Sequence, residues 1–199
     1  MSEQRDKAVR GLAKFLNPDT LRGNLIKASL FIAAYQTFRT NVVDRLRGFF
    51  TNGFDASGPV LDPEYQTKVL ALDKSPLQAT LLWLKGMSAI DDADIADAHR
   101  AREHRNALSH KLQDFLLAAD LEIDLGILES LCKLLAKIDR WWIREVEMTT
   151  NPDFDGVEVA DEDITSGTMW FLSTMMRIAY GEDSAEYWED FRNRVVPPA

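Results

Sequence analysis

The chain has a single cysteine, no apolar run long enough to cross a membrane, and no apolar stretch at its N-terminus. Cys132 cannot form an intrachain disulfide, and its apolar neighbours predict a small core residue. Lys27, Lys85 and Arg177 interrupt the longest uncharged stretches, whereas a membrane span needs roughly 18 apolar residues. The first residues, Met-Ser-Glu-Gln-Arg-Asp, do not have the pattern of a signal peptide. These absences predict a cytoplasmic protein with no membrane association.

The usual sequence patterns of phosphate loops, dinucleotide sites and nucleophile elbows are absent as well. Nucleotide hydrolysis, dinucleotide redox chemistry and esterase chemistry therefore have no support in the sequence. No Glu/Asp-x-x-His, His-Glu-x-x-His or His-x-x-x-His pair occurs, and one cysteine is too few for a structural zinc site. We therefore expect His99 and His104 to be structural or surface residues, and we predict no metal and no cofactor.

Negative charge is abundant, but it is unevenly placed. Residues 1–150 contain 20 Lys and Arg against 21 Asp and Glu, whereas residues 151–199 contain 3 against 11. Nearly all of the net charge of −9 therefore belongs to the last quarter of the chain. Residues 1–150 are close to neutral overall, and a local basic surface on this part of the chain is compatible with that balance. Any binding of RNA would be local and sensitive to salt.

Apolar residues recur at helical spacing through most of the chain, as in Leu128, Leu131 and Leu135. Glycines and Pro59 predict a loop over 51–62, and no alternation of period two is long enough for a sheet. The predicted fold is an all-α helical bundle over residues 1–150, with an acidic C-terminal helical extension over 151–199 that packs on the bundle. Helices are predicted over 5–16, 19–48, 76–87, 91–119, 124–148, 164–180 and 184–194. Met169, Trp170, Leu172 and Met176 are expected to pack in the core.

One hexapeptide combines groups that suit RNA chemistry. Residues 105–110 read Arg-Asn-Ala-Leu-Ser-His within a predicted helix. Arg105 offers a planar set of donors that matches a phosphate, and His110 has a side chain that exchanges protons near neutral pH. RNA carries its own nucleophile, the 2′-hydroxyl, so an arginine and a histidine could suffice to cleave it without a metal. The other interpretation is a solvent-exposed helix face with intrahelical ion pairs.

An Arg-Asn-x-x-x-His pattern on a helix of a small all-α bundle resembles the HEPN superfamily. The resemblance covers roughly residues 19–148 and leaves out the acidic extension. It implies a metal-independent endoribonuclease of toxin–antitoxin or abortive-infection systems that acts as a homodimer with a composite site. It also implies that Arg105 and His110 are catalytic and that Asn106 supports them. Other members of the superfamily bind without cutting.

The spacing raises a geometric question. At 100° per residue, Arg105 and His110 lie about 140° apart around an ideal helix. One phosphate would not easily meet both side chains from one straight helix. A local distortion of the helix, long side-chain reach or two facing protomers would each resolve this.

Further basic residues could contact an RNA backbone beside this site. Lys133, Lys137, Arg140 and Arg144 form a basic stripe opposite the apolar face of the helix over 124–148, and a solvated surface is the alternative interpretation. The acidic segment that follows could fold over the stripe and compete with phosphate, or it could be solvated. The predicted RNA-binding residues are Arg102, Lys111, Lys133, Lys137, Arg140 and Arg144.

Two functions from different classes follow from these patterns. The first is a metal-independent endoribonuclease with RNA as its partner, active as a homodimer and held in check by an antitoxin partner. The second is a non-catalytic helical module that binds another protein.

Overall fold

The described part of the chain is built almost entirely from helices. The computed structural model describes residues 2–154, 156 and 159–179. Its α-helices are α1 (Ser2–Leu16), α2 (Pro18–Phe49), α3 (Pro76–Gly86), α4 (Asp92–Leu117), α5 (Leu125–Trp142) and α6 (Gly167–Ala179). Two π-helical segments, Tyr65–Leu70 and Ile143–Met148, and two 3₁₀ turns, Pro152–Phe154 and Asp161–Asp163, complete the helical part. The all-α class is confirmed, while the helix predicted over 184–194 lies outside the described residues.

A two-stranded antiparallel hairpin replaces part of the predicted loop over 51–62. Strand β1 (Thr51–Asp55) pairs with β2 (Gly58–Leu61), and the register shifts between Thr51 and Gly53. The Asp55 carboxylate accepts hydrogen bonds from the Ser57 N–H at 2.7 Å and the Ser57 hydroxyl at 2.6 Å, which closes the turn. The prediction of a loop was wrong here because most hairpin side chains are exposed. No face is buried, so no alternation of polarity marks the strands.

Side-chain caps fix where the long helices begin. The Asn17 side chain accepts hydrogen bonds from the N–H groups of Asp19 and Thr20, both at 3.0 Å, at the start of α2. At the start of α4, Asp91 and Asp94 form a reciprocal capping box. These caps place the two helices that carry the candidate site.

The main core lies where α2, α3, α4, α5 and α6 meet. Its largest fully buried side chains include Phe31 and Phe38 of α2, Leu81 of α3, Leu108 of α4 and Leu135 of α5. Leu108 belongs to the hexapeptide, so one side of that segment is fixed in the core. A second cluster unites Leu46, Phe50, Tyr65, Val69, Ala79 and Trp142 at the far end of α2.

The last described helix, α6, packs against α2 and α5. Leu172 is buried in the main core, and Met169 and Met176 are half-buried against it, as predicted. Trp170 was expected in the core, but 56% of its surface is exposed. Trp170 follows Met169 by one residue, which turns it about 100° away from the buried face of the helix.

Helix α1 crosses the C-terminal end of α4 at very short range. Gly11 is buried there, against the Leu117 carbonyl. Lys14 donates hydrogen bonds to the carbonyls of Ala118 at 3.0 Å and Leu121 at 2.6 Å, which lie at and just beyond the end of α4. A lysine is favourable at this position because the C-terminus of a helix carries partial negative charge.

Candidate functional site

Arg105 lies on α4 and turns toward α2. Its guanidinium carbon lies 5.0 Å from the centroid of the Tyr35 ring, a cation–π contact. Its Nη1 donates a hydrogen bond to Oδ1 of Asn106 at 3.0 Å. Arg105 is half-buried, and Tyr35 beneath it is 2% exposed. The guanidinium is thus held by a ring and an amide, and it keeps unused N–H donors for a ligand.

Two further arginines surround the same tyrosine. Burial raises the pKa of Tyr35, while the positive charges of Arg105, Arg102 and Arg39, in that order, act to lower it. Tyr35 and Arg39 are four residues apart on α2, and Arg102 and Arg105 are three apart on α4, so each pair shares a helix face. Because α2 and α4 pack together, the three arginines lie around Tyr35 at the seam between these helices. We call Arg39, Arg102 and Arg105 the arginine cluster.

The arginine cluster lacks a carboxylate partner within the part of the chain that the structure describes. Arg22, Arg45 and Arg100 of the same two helices do have one. Arg22 of α2 pairs with Asp19 at 3.5 Å, and Arg100 of α4 pairs with Asp97. The cluster therefore concentrates positive charge that no described carboxylate neutralises.

His110 is exposed, and no hydrogen bond, ion pair or ring contact joins it to Arg105 or to any other described residue. The next residue, Lys111, is exposed and has non-helical dihedral angles of φ −130° and ψ 29°, where α4 kinks. The kink follows His110, so it does not rotate that side chain relative to Arg105. The separation of about 140° around the helix axis consequently persists. Within the chain, the structure leaves Arg105 and His110 apart.

The other two histidines have structural surroundings. His104 stacks edge-on against Phe31 and Phe115, and its Nε2 accepts the N–H of Asp124 at 3.2 Å. Burial lowers the pKa of His104, and the Asp124 carboxylate offsets part of that change. His99 Nε2 lies 2.6 Å from the Gln78 side-chain oxygen. His110 is the one histidine of the chain that the structure leaves without a partner among described residues.

Much of the predicted basic stripe is paired with carboxylates. Lys133 contacts Glu129 at 2.7 Å, one turn earlier on α5. Lys137 reaches the capping box of α4, at 2.5 Å from Asp94 and 3.4 Å from Asp91. These ion pairs raise the pKa of Lys137, with the hydrogen bond to Asp94 as the largest cause. Both lysines thus have local roles that do not require RNA.

The acidic segment reaches the end of the stripe. Arg144 contacts the Asp161 carboxylate at 2.6 Å and donates a hydrogen bond to the Val159 carbonyl at 2.7 Å. Arg140 is half-buried and forms no ion pair with the described residues. Asp155 and Glu158, and the Glu162 side chain, lie outside the described part. If the acidic segment covers the basic stripe, the two must be in contact. The ion pair between Arg144 and Asp161 is such a contact.

No family model, curated protein or solved structure matches this chain.

Among the described residues, no three His, Cys, Asp or Glu side chains form a group that could hold a metal ion.

Burial raises the pKa of the Cys132 thiol, and the nearby Glu129 carboxylate raises it further. No helix within the described ranges is both long and apolar enough to cross a bilayer.

A separate polar group is buried between α2, α5 and α6. Asp139, which is 1% exposed, accepts hydrogen bonds from Arg45 at 2.6 Å and from the Ser166 hydroxyl. The pKa of Asp139 is raised, chiefly by burial and also by the charge of Glu147, although Ser166 and Arg45 act to lower it. Arg45 also contacts Glu147 at 2.7 Å, and the Ser166 oxygen accepts the N–H of Met169 at the start of α6. The group joins three helices, and its donors and acceptors are used within the fold.

Sequence reasoning singled out Arg102 and Arg105 but missed Arg39 and Tyr35. The signal was the four-residue spacing of Tyr35 and Arg39 within α2. That spacing places Arg39 beside Arg102 and Arg105 only if this face of α2 packs against α4.

Proposed function

We propose that this chain is a metal-independent endoribonuclease of the HEPN type that binds RNA at the seam between α2 and α4. The observation that carries the proposal is the state of Arg105. Its guanidinium is fixed by Tyr35 and Asn106, lacks a carboxylate partner among the described residues, and is followed on the same helix by the exposed His110. An arginine held in this way suits a phosphate, and an exposed imidazole suits proton transfer.

The proposed reaction is an internal transesterification of RNA. The 2′-oxygen bonds to the adjacent phosphorus, and the bond from phosphorus to the 5′-oxygen breaks. His110 takes the proton of the 2′-hydroxyl or supplies the proton of the departing 5′-oxygen, and water exchanges the other proton. Arg105 stabilises the negative charge that builds up on the phosphoryl oxygens, and Asn106 holds the Arg105 guanidinium. The products carry a 2′,3′-cyclic phosphate and a 5′-hydroxyl.

A homodimer would bring the two groups together. Five helical residues separate Arg105 and His110 by about 7.5 Å along the axis, in addition to the 140° around it. Arg105 of one protomer and His110 of the other can contact the same phosphate, because one helix does not fix their separation. This arrangement agrees with the composite site that the resemblance implies.

The first experiment measures cleavage of a labelled, structured RNA in the presence of EDTA. We expect His110→Ala and Arg105→Gln each to lower the rate at least roughly 100-fold, the usual effect of removing a proton-transfer group or a charge-stabilising donor. His99→Ala is the matched control, because it removes an imidazole from the same helix outside the proposed site. Mass spectrometry of the products should show the cyclic phosphate. An inactive wild type, or equal cleavage by His110→Ala, would contradict the proposal.

A mixing experiment tests the composite site. Arg105→Gln still has its histidine, and His110→Ala still has its arginine. If each site takes one group from each protomer, every mixed dimer holds one complete site. An equal mixture should then recover about a quarter of the wild-type activity, because half of the dimers are mixed. No recovery, in a mixture shown to exchange subunits, would place both groups in one protomer.

A second function is favoured by a different surface. Phe49, Trp83, Met87, Trp141 and Val146 line part of a groove of about 600 Å³, which we call the aromatic groove. Half of the surface of Phe49 and Met87 is exposed there. Exposed aromatic and methionine side chains are typical of protein-binding surfaces. In this second function the aromatic groove binds another protein, and the chain is a non-catalytic helical interaction module.

Expression in a bacterial host separates the two functions, in the toxin–antitoxin or defence setting that we propose for the ribonuclease. Growth arrest that Arg105→Gln relieves supports the ribonuclease. Harmless expression of the wild type, in a host that holds no antitoxin, supports the interaction module.

A further inference from the structure

We propose that the arginine cluster binds successive phosphodiester groups of a single RNA strand, with Arg39 of α2 as a phosphate-binding residue. This inference deepens the proposed function and rests on it for the identity of the ligand as RNA. It adds a second helix to a site that the hexapeptide places on α4 alone.

The three arginines lie at different depths in the seam. Arg39 and Arg102 are exposed, whereas Arg105 is half-buried over Tyr35. The three guanidiniums therefore extend from solvent into the seam, with Arg105 at the deepest point. A strand that follows the seam would meet the two exposed arginines before or after its contact with Arg105. The deepest contact is then the one nearest the proposed chemistry.

The positive charge of the arginine cluster is not neutralised by any described carboxylate. Like charges held side by side repel, and a nearby anion offsets that repulsion, but the described part of the chain supplies no carboxylate to this cluster. Burial keeps the Tyr35 hydroxyl in its neutral form, so Tyr35 cannot supply the missing negative charge. An external anion would remove the repulsion.

The guanidinium group itself suits a phosphodiester. A guanidinium presents planar donors that match phosphate oxygens, and it is weakly hydrated. Three of them on two rigid helices offer more donors than a single phosphate can accept. A strand with several phosphates uses them all, and a free phosphate or a mononucleotide does not.

The test separates binding from cleavage. The probe is a fluorescent 2′-O-methyl RNA oligonucleotide, which lacks the hydroxyl that attacks phosphorus and so cannot be cut. Binding is followed by anisotropy over a series of salt concentrations. We expect Arg39→Gln and Arg102→Gln each to weaken binding roughly tenfold, since a hydrogen bond to a charged group contributes about 1.5 kcal/mol. Each should also lower the salt slope by about 0.7 for one lost phosphate contact.

The controls remove the same charge from the same helices. Arg22→Gln on α2 and Arg100→Gln on α4 each lose an arginine that has a carboxylate partner. Both should bind the probe as the wild type does. Arg39→Lys keeps the charge and loses the planar donors, so its affinity should fall between those of the wild type and Arg39→Gln. Circular dichroism of each variant establishes that the fold is retained.

Competition distinguishes the source of the phosphate. Inorganic phosphate and a mononucleotide should displace the probe far less effectively than an unlabelled oligonucleotide does. Equal displacement by a single phosphate would overturn the assignment to a strand. So would a wild type that does not bind the probe, or Arg39→Gln that binds as Arg22→Gln does.

The two proposals fail in different ways. If the wild type binds the probe through Arg39 but does not cut ordinary RNA, the proposed ribonuclease activity is wrong and the proposed phosphate site is retained. If Arg39→Gln binds the probe and cuts ordinary RNA as the wild type does, the phosphate site is wrong and the ribonuclease stands.

Discussion

Gly11→Ala tests the closest helix contact of the fold. A Cβ at Gly11 would lie 2.1 Å from the Leu117 carbonyl oxygen, whereas real Cβ contacts essentially never fall below 3.0 Å. The obstacle is backbone, which cannot rotate away as a side chain can. α1 and α4 must therefore separate by about 0.9 Å, the difference between these two distances. That shift would also lengthen the hydrogen bonds from Lys14 to the carbonyls of Ala118 and Leu121.

The magnitude comes from a matched pair of substitutions. Overpacking at a tight contact typically costs about 1–3 kcal/mol. Alanine also favours a helix over glycine by about 1 kcal/mol, which hides part of that cost. Gly23→Ala lies within α2 with no atom near the added Cβ, so it shows the helix preference alone. The difference between the two variants in free energy of unfolding should therefore be about 1–3 kcal/mol, with Gly11→Ala the less stable.

Urea unfolding followed by circular dichroism measures this difference. Limited proteolysis within residues 2–16 shows whether α1 detaches before the rest unfolds. If Gly11→Ala equals Gly23→Ala in stability and in resistance to the protease, α1 does not pack on α4 as described.

Three further predictions concern buried polar groups and the thiol. Asp139→Ala should lower the free energy of unfolding by roughly 3 kcal/mol, because it leaves the partly buried Arg45 with one carboxylate in place of two; a loss below roughly 1 kcal/mol in urea unfolding would contradict this. The folded-state pKa of His104 lies below its ordinary value of about 6.5, so the unfolded chain takes up the proton first. The free energy of unfolding should therefore decrease as the pH falls through about 6.5 toward the folded-state pKa. His104→Gln should show a smaller decrease between about pH 7 and 5. If the free energy of unfolding falls with pH equally in both proteins, His104 does not have this role. Cys132 should react with a thiol reagent more slowly in the native chain than in the urea-unfolded chain, because burial raises its pKa; equal rates would show that the thiol is accessible.

Local sequence rules predicted the helices well because their causes are local. Asn17 and Pro18 begin α2, and Asp91 and Asp94 begin α4, through contacts with neighbouring residues. The apolar spacing of α5 placed Leu128, Leu131 and Leu135 in the core, and all three are buried.

The features that sequence reasoning missed depend on packing between distant segments. The hairpin escaped notice because its strands have no buried face. Lys111 gives no sign of the kink, since lysine is an ordinary helix residue. Arg39 joins the site only because α2 turns the face with Tyr35 toward α4, and a single sequence does not specify which helix faces pair.

The same limit applies to the partners of the basic stripe. Lys137 was predicted to contact RNA, yet it lies against the capping box of α4, a contact 43 residues away in sequence. The pairing of Lys133 with Glu129 was accessible from the four-residue spacing on one helix. Whether either lysine also contacts RNA stays a prediction.

Helix α4 is held near both ends by lysines from other helices. Lys137 of α5 contacts Asp91 and Asp94 at its start, and Lys14 of α1 contacts the carbonyls at its end. Within the helix, Lys111 alone departs from helical dihedral angles. Bending of α4 should therefore concentrate at Lys111, where the regular geometry is interrupted.

Arg102, Arg105 and His110 all precede that point. They lie on the regular part of α4, which packs against α2, whereas Leu117 in the last turn of the helix contacts α1. A shift of the last turns of α4 about Lys111 would therefore leave the spacing of Arg102, Arg105 and His110 along the helix unchanged.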